Sequence, residues 1–78
     1  MTAIVYRKLP DLPHRQYVRR VGSGYNCLWH RDPHVALRME RKDAKRLADT
    51  LWLRSTGYSG RQAVLEPVGE YGVEDVTT

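Results

Sequence analysis

Between Glu40 and Gly57 the chain reads E-R-K-D-A-K-R-L-A-D-T-L-W-L-R-S-T-G, and no other stretch of it admits so few structures. Ala44, Leu47, Ala48 and Leu51 fall at i, i+3, i+4 and i+7, the spacing of one buried helix stripe. At about 100° per residue Ser55 continues that stripe, while Lys42, Arg46 and Asp49 point away from it. Gly57 stands where a helix closes on a left-handed residue. The spacing therefore predicts a helix from Arg41 to Thr56.

Most of what precedes this helix has the pattern of strands. Residues 2–9 are rich in β-branched and aromatic types (Ile4, Val5, Tyr6) and read as a strand that Pro10 and Pro13 end. Residues 16–21 read as a second strand and residues 25–30 as a third. Gly22-Ser23-Gly24 forms the turn between them, with glycines free to take positive φ. Arg31-Asp32-Pro33-His34 has turn chemistry, and residues 35–39 make a short fourth strand leading into the helix. Beyond Gly57, residues 62–68 read as a last strand whose Pro67 places it at an edge or an end.

This order implies an α+β domain over residues 1–69, its helix lying across one face of a mostly antiparallel sheet. The expected core joins the helix stripe to Tyr25, Cys27 and Trp29 of the third strand and Val35, Leu37 and Met39 of the fourth. Arg19 and Arg20, being consecutive, should point to opposite faces of their strand, one of them toward the helix.

The charge layout is uneven. Residues 1–61 hold all 13 Lys and Arg against five acids, while residues 62–78 hold only Glu66, Glu70, Glu74 and Asp75. Residues 70–78 read as an acidic, flexible tail, either a frayed end or a segment that folds back on the basic body. No run approaches the roughly 18 apolar residues of a membrane helix. The first nine residues hold no signal-peptide core. With the single Cys27, these features point to a cytoplasmic chain without an intrachain disulfide.

Chemistry-bearing patterns are sparse. Cys27, His30 and His34 give C-x2-H-x3-H with Asp32 between, but a structural zinc site takes four ligands, usually including paired cysteines. Cys27 is better read as a small buried strand residue. No reactive-cysteine signature, paired carboxylates or phosphate loop is present. Neither a metal, a cofactor nor an enzymatic activity is expected.

Binding is the function left. Lys42, Lys45 and Arg46 crowd the helix, and Arg19 and Arg20 lie in the second strand. Lys45 and Arg46 stand at i,i+4 and i,i+3 to Asp49, so part of this charge should be paired on the helix. Leu53 lies about 180° from Ala44, and Trp52 on the flank. Either the helix unwinds near Leu51 and both fold inward, or they form an exposed anchor of the kind that grips protein partners.

In size and layout across residues 1–69 the chain resembles the small accessory proteins of bacteriophages, including inhibitors of host defence such as anti-CRISPR proteins. The resemblance implies a non-enzymatic module that occupies a surface on a nucleic-acid-handling complex, and it carries over no functional residue. The expected partner is therefore a protein, gripped through Lys42, Lys45, Arg46, Trp52, Leu53, Arg19 and Arg20. Direct nucleic-acid binding is the alternative, and the marginal core size also suggests a homodimer.

Overall fold

The computed structural model describes residues 2–56 and 66–76. Its elements are β1 (Thr2–Lys8), β2 (Gln16–Val21), a 3-10 turn (Ser23–Tyr25), β3 (Cys27–His30), a second 3-10 turn (Pro33–Val35), β4 (Met39–Glu40), α1 (Arg41–Thr56) and β5 (Glu70–Val76). The result is the expected α+β architecture, a five-stranded antiparallel sheet with one helix.

β1 is the strand on which the others converge. Along its full length it pairs β5, from Thr2↔Val76 to Lys8↔Glu70. β4 meets its beginning (Thr2↔Glu40, Ala3↔Met39) and β2 its end (Tyr6↔Tyr17, Arg7↔Gln16). Because α1 covers one face and other segments cover part of the second, Ala3, Ile4 and Val5 are buried in succession. Such an unalternated run is the mark of a strand enclosed on both sides.

The helix matches its expected bounds, and Ala44, Leu47, Ala48, Leu51 and Ser55 are its buried residues. They close on Ala3, Val5 and Val18, with Cys27, Trp29, Met39, Tyr71 and Val73 packed around them. Burying an aliphatic side chain as large as Leu51 or Val5 contributes about 1.5–3 kcal/mol. The buried Ser55 hydroxyl is satisfied by donating to the Trp52 carbonyl at 2.6 Å.

Several expectations need correction. Residues 35–39 do not form a strand. Asp32 caps a 3-10 turn by accepting from the His34 N–H at 2.9 Å, Pro33 opens that turn, and only Met39–Glu40 pair with β1. Val35 and Leu37 are exposed, so Met39 alone of that trio joins the core. Tyr25 also leaves the core set. It closes the hairpin with φ +62°, beside Gly24 at +66°, and its ring is exposed. A tyrosine in this region is strained where glycine is not. Gly22, at φ −94°, takes no part in that.

The largest correction concerns the acidic segment. Glu70–Val76, expected as a flexible tail with folding back on the basic body as the alternative, does fold back and is the full-length partner of β1. Tyr71 and Val73 pack against the core under α1, while Gly72 and Glu74 share the other face with Tyr6 and Ile4. The cap expected at Gly57 and most of the strand expected at 62–68 lie outside the described residues; Glu66 to Val68 form no strand.

Candidate interaction surface

Folding back allows the acidic segment to engage the arginines of the sheet and helix. Glu66, little exposed, lies between Arg7 at 3.7 Å and Arg54 at 3.9 Å. Arg7 also donates from Nε to Gln16 Oε1 at 2.8 Å and lies 4.0 Å from the centre of the Trp29 ring, which meets Tyr71 edge-on. Burial pushes the Tyr71 phenol and the Cys27 thiol above their ordinary values. For the thiol Glu66 adds to the rise, while Arg7 and Arg54 pull against it. On the opposite face Arg15 lies 3.2 Å from Glu74 and 4.0 Å over the Tyr6 ring. The Tyr6 hydroxyl donates to Glu70 at 3.2 Å. At the helix start Arg41 Nε donates to Asp75 at 2.9 Å.

The helix exterior is different. Lys42, Lys45 and Arg46 are exposed, and among the described residues none has a carboxylate within 4.0 Å. The expected pairing of Lys45 and Arg46 with Asp49 is therefore absent. Lysine and arginine side chains reach well into water, and holding one against an exposed acid gains little over its lost rotamer freedom. Trp52 and Leu53 keep 49% and 37% of their surface exposed on a helix that runs regularly to Thr56. Of the two alternatives for this pair, the helix takes the exposed one.

Arg19 and Arg20 are both exposed. A register shift lies between Val18 and Arg20: Val18 faces Trp29, but Arg20 faces Leu28. Trp29 packs on the core and Leu28 does not, so the extra residue places Arg20 on the face away from α1. Arg20 accordingly stands apart from the helix cations, and the seven expected contact residues do not all share one face.

The C-x2-H-x3-H spacing does not assemble. Cys27 packs toward the core, while His30 is exposed and accepts from the Asp32 N–H, and His34 contacts Asp32 at 3.1 Å. The His34 N–H and ring hold the Asp32 carboxyl below its ordinary value. Among the described residues no three His, Cys, Asp or Glu side chains are gathered as a metal site, and no helix is long and apolar enough to cross a membrane.

The four ion-paired arginines were not singled out together in the sequence. Each finds an acid 20 or more residues away in the chain except Arg54, whose Glu66 partner is 12 away. No family model, curated protein or solved structure matches the chain.

Proposed function

We propose that the chain is a non-enzymatic protein-binding module that docks the outer face of α1 against an acidic surface of its partner. One observation carries this reading: Trp52 and Leu53 stand exposed on a regular helix, beside Lys42, Lys45 and Arg46, which have no acid within 4.0 Å among the described residues. Everywhere else the large apolar side chains of α1 are buried. Trp and Arg are enriched where partners are gripped, and the flanking cations suit an acidic counterpart. The partner we place it on belongs to a nucleic-acid-handling complex and offers an acidic patch. Occupying that patch would inhibit it, as the resemblance to small phage inhibitors in size and layout implies.

The steps separate by rate. Long-range attraction from Lys42 and Arg46 governs the encounter, and burial of Trp52 and Leu53 governs residence. A pull-down from host lysate treated with nuclease identifies the partner, and binding kinetics then test the reading. Reversing Lys42 and Arg46 to glutamate is expected to slow association about tenfold at low salt, whereas Trp52→Ala mainly speeds dissociation.

Direct nucleic-acid binding is the second reading, favoured by the same free cations. Submicromolar affinity for random-sequence duplex at near-physiological salt, weakened by the charge reversals but indifferent to Trp52→Ala, replaces the first reading with the second. A second copy of the chain as the partner appears instead as a concentration-dependent mass that Leu53→Asp abolishes.

A further inference from the structure

On the side of the sheet away from α1 an open cleft of about 660 Å³ lies between the loop before β2 and the turn after β3. Pro13, His14, Arg15, Tyr17, Arg31 and Asp32 line it. A second hollow of about 380 Å³ adjoins it and shares Pro13, His14 and Arg31. Pro13, His14 and Arg31 thus lie where the two open hollows meet.

Both walls are held in place by the chain itself. Lys8 Nζ donates to the carbonyls of Leu9 and Leu12, and the Leu12 N–H closes a turn onto Leu9. Opposite, the Asp32 N–H donates to His30 Nδ1, and Asp32 Oδ1 accepts from the His34 N–H. The floor is the Tyr17 side chain, 8% exposed. The backbone of these walls therefore requires little ordering when a ligand enters.

The charges have a definite sense. Asp32 accepts from His34 through Oδ1, and Glu74, which also acts on Tyr17, faces Arg15 at 3.2 Å. Arg15 is further fixed by its stack on Tyr6, and one of its two terminal nitrogens faces Glu74. Arg31 has no acid within 4.0 Å among the described residues and is exposed. A guanidinium carries five N–H donors in a rigid fork, so Arg31 and the remaining edge of Arg15 offer paired donors, with the His14 imidazole beside them. That donor set suits the tetrahedral oxygens of a phosphate, which arginine recognises by bidentate hydrogen bonds.

We infer that the cleft between the 9–14 loop and the Arg31-Asp32 turn binds a phosphate ester group, held by Arg31, Arg15 and His14. The site lies on the face opposite the helix surface proposed above and does not depend on it. A chain with both would hold a protein with one face and a phosphorylated ligand with the other.

Two probes test this on the intact chain, thymidine monophosphate and a thymidine hexanucleotide, with affinity and site read from amide chemical shifts. Shifts are expected at His14, Arg15, Arg31 and Asp32. Arg31→Gln and His14→Ala each should weaken binding about tenfold, the loss of one charged or polar hydrogen bond. Arg20→Gln, three residues along β2 from Tyr17, and Arg46→Glu on the helix should change it less than twofold. Equal affinity for the two probes means that one phosphate fills the site, and tighter binding of the hexanucleotide means that a strand continues across it; both support the proposal. Shifts confined to the helix, no shifts at millimolar probe, or an Arg20→Gln loss as large as that of Arg31→Gln would overturn it. Unchanged melting of Arg31→Gln guards against a folding artefact. Loss of this binding leaves the helix-face kinetics untouched, so the two readings fail separately.

Discussion

Two basic regions of this molecule use their charge in opposite ways. Around the sheet, Arg15 and Arg41 meet acids of the last strand, and Arg7 and Arg54 meet Glu66 just before it. On the outside of α1, Lys42, Lys45 and Arg46 meet none among the described residues, and beside them stand Trp52 and Leu53. Charge alone does not distinguish the regions. What does is whether a carboxylate is brought to the cation by the fold, as backbone pairing brings Glu74 and Asp75 alongside β1. The first kind of arginine is part of the architecture, and the second kind is available to a partner.

Stability measurements can break this contrast at its strongest point. Removing residues 70–78 takes away the entire β5 ladder together with Tyr71 and Val73 of the core. A domain of this size has only about 4–8 kcal/mol to lose, so the truncated chain is expected to show no cooperative thermal transition by circular dichroism. A folded, cooperatively melting truncation would return the segment to the status of a tail.

Gly72 sharpens the same point at single-residue scale. A Cβ there would sit 2.6–2.9 Å from the Tyr6 ring and hydroxyl, which Arg15 and Glu70 hold in place. Gly72→Ala is expected to cost about 1–3 kcal/mol in denaturant unfolding. The cost should shrink in a Tyr6→Ser background, because the clash is with that ring. Glu66→Gln comes next, at about 1–2 kcal/mol, since it leaves Arg7 and Arg54 without their shared carboxylate in a partly buried setting.

Alkali probes the buried groups together. Burial is the largest cause raising the phenols of Tyr6, Tyr17 and Tyr71 and the thiol of Cys27, so the folded chain holds these protons more tightly than the unfolded one. Their contribution to stability is complete below the unfolded values, about 8.5 for a thiol and 10 for a phenol. It is lost as pH climbs from there through the higher folded values. Unfolding midpoints in urea should therefore fall above about pH 9, and Cys27 should react with a thiol reagent at pH 8 more slowly than a free cysteine. At the small end of the scale, Leu53→Asp and Lys42→Glu should move stability by no more than about 0.5 kcal/mol. A loss of several kcal/mol from either would make the helix exterior architectural too.

The helix was legible in the sequence because its information is local. Four apolar positions and a serine at one periodicity define a buried stripe without reference to any other part of the chain. β2 was legible for a similar reason, its bounds lying between a proline-rich loop and Gly22. β5 was not. E-Y-G-V-E-D-V carries three acids and a glycine, types that are sparse in strands, and only Tyr71 and Val73 offer the inward alternation. Its reasons for being a strand are distant: Tyr6 fills the space that Gly72 leaves open, and Arg15 and Arg41 answer Glu74 and Asp75. The bulge at Arg19 was hidden too, because strict alternation predicts opposite faces for consecutive residues and only the partner strand reveals an extra one. Asp32-Pro33 did carry a readable sign of a turn, and its reach was underestimated by two residues. For the candidate surfaces, the helix cations and Trp52 and Leu53 were visible as residues, but only the fold shows that no acid among the described residues reaches the cations. The cleft at His14 and Arg31 joins two loops 17 residues apart, a distance no spacing rule spans.

The pairing of Thr2 with Val76 has a consequence for how such a chain is made. The strand that organises the sheet precedes every other element of it in the chain, and its full-length partner follows them all. Until residue 76 has been joined, β1 has an open edge with Ile4 and Val5 close behind it, and α1 has only part of the platform it rests on. The helix and the β2–β3 hairpin can form transiently as the chain grows, but the closing contact joins residues 2–8 to residues 70–76 and waits for all the elements between them. Folding is thus a late event, with a sticky intermediate before it. A ribosome stalled before codon 70 should present a chain that proteases cut readily, and extension past codon 76 should confer resistance once the segment has cleared the exit tunnel.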